Sequence, residues 1–186
     1  MNNIRKVVFG LALLFPSLNN VMANGLTTAV DTEFNSWHQV RSEDGTCMAT
    51  FPRKPDHMQQ DMKMRGSEEK LRYDVYVADL QRKEVFMVLI AKYPGEVRKE
   101  DAKGNLEHFL NTLIAQNPNN RLIFAEVTEV AGNPAMDFFI RTDAVYFKGR
   151  AIQANNSLYL LAMECEIKNY HEHHFNHFIN NFSLDK

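Results

Sequence analysis

The stretch 132–166 constrains the fold of this chain more than any other. It reads GNPAMDFFIRTDAVYFKGRAIQANNSLYLLAMECE. Three runs rich in aromatic and β-branched residues lie in it, at 135–143, 144–154 and 157–166. Tyr146, Phe147, Tyr159 and the Val and Ile residues favour a pleated, half-buried surface. Asn155-Asn156-Ser157 marks a turn, and Lys148-Gly149-Arg150 reads as a turn or bulge. Such a meander predicts the centre of an antiparallel sheet, with helices over one or both faces.

The preceding chain fits that frame. Cys47, Ala49 and Phe51 alternate with Thr46, Met48 and Thr50, the period of a one-sided strand. Pro52 and Pro55 end it, because proline cannot donate to a ladder. Residues 58–65, 71–80, 85–92 and 121–130 read as further strands. The run 85–92 is apolar on both faces, as a central strand is. Leu106, Phe109, Leu110, Leu113 and Ile114 form a single stripe on a helix over about 99–116. A second helix is predicted over 169–181, with Phe175, Phe178 and Phe182 on one face. The fold class is therefore α+β: an antiparallel sheet of about six to eight strands sandwiched by helices.

The first 23 residues have a different character. Arg5 and Lys6 precede the apolar run from Val7 to Phe15, and Val21-Met22-Ala23 places small residues at a cleavage site. That is the pattern of a secretory signal peptide, too short to remain as a membrane span. Residues 24–43 are polar and read as a tether, with Trp37 as a lid on the core. The domain is expected over 44–186. The destination is periplasmic or extracellular, with no stable membrane insertion once the signal is cut.

Losing Arg5 and Lys6 takes the formal charge from −2 to −4. An acidic chain without a basic stripe makes a poor binder of phosphate backbones, so nucleic acid is not expected as a partner. In an oxidising compartment the two cysteines, Cys47 and Cys165, are expected to pair as a disulfide; two separate buried thiols are the alternative.

Four of the seven histidines fall in Tyr170-His171-Glu172-His173-His174-Phe175-Asn176-His177-Phe178. On a helix His173 and His177 stand one turn apart, with His174 on the flank. Zinc, copper or nickel accepts such nitrogen donors. A solvated helix face and a pH-responsive surface are the competing readings. The zinc-protease pattern fails, because the position four after His171 is Phe175. Asp44, Glu84, Asp137 and Asp143 show no acid/base spacing, and no Gly-x-Ser-x-Gly elbow or phosphate loop occurs.

Trp37, Asp44-Gly45, Phe51-Pro52 with Pro55, Gly132-Asn133-Pro134-Ala135, Tyr146–Arg150 and Leu158-Tyr159-Leu160 follow one another in an order that resembles small exported bacterial PsbP-like domains. That fold is shared with the photosystem II extrinsic subunit PsbP and a Ran-binding nuclear-transport factor. The resemblance implies an antiparallel sheet between helices and a non-catalytic binding or assembly role with an unknown protein partner. It carries over no site residue. A metal-binding protein using His173, His174 and His177, and an unrecognised enzyme, are the alternatives.

Overall fold

The computed structural model describes residues 34–63, 68–95 and 97–185. The signal-peptide reading and residues 24–33 of the expected tether lie outside them. Seven strands form one antiparallel sheet: β3 (Asp56–Lys63), β4 (Lys70–Leu80), β5 (Glu84–Lys92), β6 (Asn120–Val130), β7 (Asn133–Thr142), β8 (Val145–Ala154) and β9 (Ser157–Glu166). Their spatial order is β3-β4-β5-β9-β8-β7-β6. The sheet is thus two meanders, β3–β5 and β6–β9, joined where β9 pairs antiparallel with β5. The last strand of the second meander is the middle of the sheet. Its burial agrees: Leu158 to Met163 are all buried.

The hairpins of the second meander are tight because their turn residues accept positive φ. Ala131 and Gly132 stand at φ 50° and 79°, the left-handed pair that suits a two-residue connection between twisted strands. Asp143 and Asn155 do the same at the next two turns. Asp and Asn tolerate that region better than most side chains.

Helix α1 (Ala102–Ala115) follows a single 3₁₀ turn and covers one face of the sheet. Leu106, Leu110 and Leu113 are its buried stripe, and Phe109 and Ile114 flank it. They meet Met87, Leu89, Phe138, Ile140 and Leu160 from the sheet. The opposite face is covered by two other elements. One is a small three-stranded sheet ordered β1 (His38–Arg41), β2 (Cys47–Phe51), β10 (Ser183–Leu184). The other is helix α2 (Glu172–Asn180). Phe51, Phe175 and Phe178 from this layer close on Phe86, Val88 and Leu161.

Two expectations are corrected. Residues 38–41 are a paired strand, not tether; Trp37 just before them is the expected lid on the core, 8% exposed with its ring 5.1 Å from that of Phe86. The fold therefore begins before residue 44: once β2 has one face in the core, its free ladder groups take β1 as partner. The second correction concerns Gly149. It is neither turn nor bulge but a mid-strand residue, paired with Phe138 on one side and Ala162 on the other. A Cβ there would lie 2.5 Å from Cζ of Phe138 and 3.0 Å from the Leu161 carbonyl oxygen. Phe138 is fully buried, so its ring uses the space that glycine leaves. Gly149→Ala is expected to lower stability by about 1–3 kcal/mol through overpacking, read from denaturant unfolding. Paired with Phe138→Leu, the loss should shrink below the sum of the single changes.

Candidate functional site

Glu84 opens β5, directly across the ladder from Cys165. Its side chain is 2% exposed. A carboxylate so placed requires partners that offset its lost hydration. They come from α2. His171, the residue capping that helix, brings Nδ1 to 2.9 Å from Oε1. His174, in the first turn, brings Nδ1 to 2.5 Å from Oε2. Each carboxylate oxygen thus faces one imidazole. His174 is almost fully buried, whereas the His171 side chain is half exposed.

The histidine tract is therefore divided. His174 does not lie on a solvent flank: it points into the core beside Phe175 and Phe178. His173 stays on the outer side, with its ring centre 4.2 Å from that of His174 and 5.7 Å from that of His171. His177 belongs to the packing. Its ring lies flat on Phe34 at 3.9 Å and 10°, and edge-on to Trp37 at 4.9 Å. Burial pushes its pKa down, and neighbouring His174 pushes it the same way. The expected trio of His173, His174 and His177 does not converge as a set. Glu84, His171 and His174 do: their donor atoms all lie within 4.8 Å of one another. Sequence reading missed Glu84 because it stands 87 and 90 residues from its two partners.

A second grouping sits at the other end of the sheet. His57 on β3 lies between carboxylates, with Nδ1 3.1 Å from Glu43 and Nε2 3.1 Å from Asp74. Arg72 Nε donates to the other oxygen of Asp74 at 3.0 Å. His57 stacks on its cross-strand partner Tyr76, whose hydroxyl accepts the Glu43 backbone N–H. A guanidinium already on Asp74 weakens the case for a metal ion there, and the arrangement ties β3 to β4 as it stands.

The expected Cys47–Cys165 disulfide is not formed; both thiols are free and buried. Cys47 is on the small sheet beside Ser42, Asp44 and Asp185, and Cys165 is on β9 among Glu84, Glu164 and Glu166. They border one core from different layers. Burial, reinforced by nearby carboxylates, raises Cys47 to about 11 and Cys165 to about 12. Reactivity belongs to the thiolate. A disulfide reagent at pH 8 should therefore read near zero thiols in the native protein and two after unfolding without reductant. A bridged protein would read none in either state.

The far edge of the sheet has another character. On β6, Leu122, Ile123, Phe124 and Val127 are 44%, 49%, 38% and 52% exposed. The strand pairs with β7 on one side only, with a bulge between Leu122 and Phe124. Phe124 continues into an aromatic row on the α2 side: Phe139 at 6.1 Å, then Tyr146 and Tyr170 at 4.8 and 5.3 Å from Phe139. Lys148 Nζ lies 5.4 Å over Phe139 and 4.9 Å over Phe175, and pairs with Glu172 at 2.5 Å. Arg150 holds Asp137 by two parallel bonds of 2.6 and 2.7 Å. Among the described residues no helix is long and apolar enough to cross a membrane.

No family model matches the chain, and no curated protein matches its sequence. Among solved structures, it is similar to the solution structure of cyanobacterial PsbP (CyanoP) from Synechocystis sp. PCC 6803. The TM-score is 0.57 at 14% identity, over 86% of this chain and 99% of that one. The seven-stranded sheet, the helices on its two faces and this likeness together show one thing: the chain has the PsbP-like fold.

Proposed function

We propose that the chain is an exported, non-catalytic binding or assembly protein that takes an extended segment of a protein partner along strand β6. The observation that carries this reading is the exposed apolar edge. Natural sheets blunt their edges with charge, proline, bulges or a covering element, because a bare edge pairs with other chains; β6 has one bulge and no proline. Here four large apolar side chains stand outside the core on an 11-residue edge strand. The aromatic row beside it, Phe124, Phe139, Tyr146 and Tyr170, supplies the residue types that dominate binding surfaces. Strand addition fits both features: main-chain bonds give affinity, and alternate side chains meet apolar ground. The signal-like first 23 residues support an extracytoplasmic partner.

A photoreactive side chain at Ile123 tests this in the native envelope, with the same group at exposed Lys103 on α1 as control. A discrete adduct from Ile123 but not from Lys103, lost when Val127 is changed to lysine, is the expected result. Equal labelling from both positions would defeat the reading. So would an adduct consisting of two copies of this chain.

A further inference from the structure

We infer that Glu84, His171 and His174 form a site for one divalent transition-metal ion of the zinc class. No sequence motif marks this set. The residues are brought together only by the docking of α2 on β5, and the ligand atoms are already clustered in three dimensions.

Three observations carry the inference. First, the donor chemistry is right: imidazole nitrogens with one carboxylate are a common zinc set, and zinc is ordinarily four-coordinate. Second, the spacing is right. Imidazoles sharing one zinc, at about 2.0–2.1 Å from each nitrogen, hold their ring centres about 5 Å apart. His171 and His174 stand at 5.0 Å. Third, the cluster is assembled without the ion: each oxygen of Glu84 already faces one imidazole nitrogen, so binding would release ring protons and need little rearrangement of side chains. The site is also reachable. Glu84 and His174 form a dry floor, while His171 is half exposed and His173 lies outward, so an ion can enter from solvent. His177 is not part of it, because its ring is fixed between Phe34 and Trp37.

The consequence is a metal clip joining the start of α2 to the start of β5. Whatever binds the folded protein and not the unfolded chain stabilises the fold. The test uses the purified protein stripped with a chelator and titrated with Zn²⁺ alone by calorimetry, with thermal unfolding in parallel. One equivalent should bind at micromolar Kd or tighter and raise Tm. Co²⁺ should give the visible bands of four-coordinate nitrogen–oxygen ligation. His171→Ala removes a half-exposed ligand without opening the core; it should weaken Zn²⁺ binding at least tenfold and abolish the Tm gain. His108→Ala, on exposed α1 surface, should change neither. Binding no tighter than millimolar would overturn the proposal. So would undiminished binding in His171→Ala, which would place the ion elsewhere. A His171→Ala stability loss that is equal with zinc and with chelator would mark the cluster as a metal-free hydrogen-bonded clamp, and would overturn it too.

Discussion

Glu84→Ala should cost about 1–3 kcal/mol of folding free energy, the penalty for leaving a buried hydrogen-bonding group without its partner. The reasoning is local. The Glu84 side chain is 2% exposed and that of His174 is 6%. Alanine leaves a cavity and takes away the acceptor that both Nδ1 atoms address. His174 cannot turn to water without lifting Phe175 and Phe178 from the core. Its stranded ring nitrogen then bears the full desolvation cost. Glu84→Gln keeps the shape and one acceptor, so a smaller loss of about 1–2 kcal/mol is expected. Guanidinium unfolding of both variants, after chelator treatment, measures the pair without a contribution from metal. A loss under about 1 kcal/mol for Glu84→Ala would mean that α2 is held by its phenylalanines alone.

The second large effect concerns those phenylalanines. Phe178→Ala is expected to cost about 3–5 kcal/mol, as large-to-small changes of buried aromatics do. Phe178 is completely buried, 5.6 Å from Phe51 of the small sheet and 5.3 Å from Phe86 of the large one. It is the point where both sheets and α2 meet, so no neighbour can shift to fill the space without loosening another contact. Domains are stable by only about 5–15 kcal/mol, so this variant stands near the threshold of folding. Phe182→Ala, at a partly buried position, should lose about 1 kcal/mol or less by comparison. Equal losses at the two positions would contradict the packing described.

Much of the architecture was legible along the chain, and particular residues show why. The Leu106–Leu110–Leu113 stripe repeats at helical spacing because one helix face rests on one sheet face. The three runs of the last meander are so rich in aromatic and β-branched residues, and so clearly set off by their turns, that their strands fall within two residues of the expected limits. What stayed hidden depends on contacts between distant segments. Gly149 looks like punctuation between lysine and arginine, and only the Phe138 ring explains it. Residues 38–41 lack a strong strand pattern and are ordered by pairing with β2. The disulfide was expected from compartment and cysteine count, which carry no information on which layer each thiol occupies. In the histidine tract, the spacing of His173 and His177 suggested a site on the helix alone. The sheet supplied the carboxylate, and Phe34 claimed His177.

The layer over the second face has a consequence for the order of events after synthesis. It is woven from residues 34–51 and 167–185, with every strand of the large sheet coming between them. Strand β2 finds its neighbour β10 only when the chain has returned across that whole distance. Closing such a span costs entropy before any contact rewards it, and topologies of this sort fold slowly. A nascent molecule would therefore spend a comparatively long interval with Phe86, Val88 and Leu161 open to solvent.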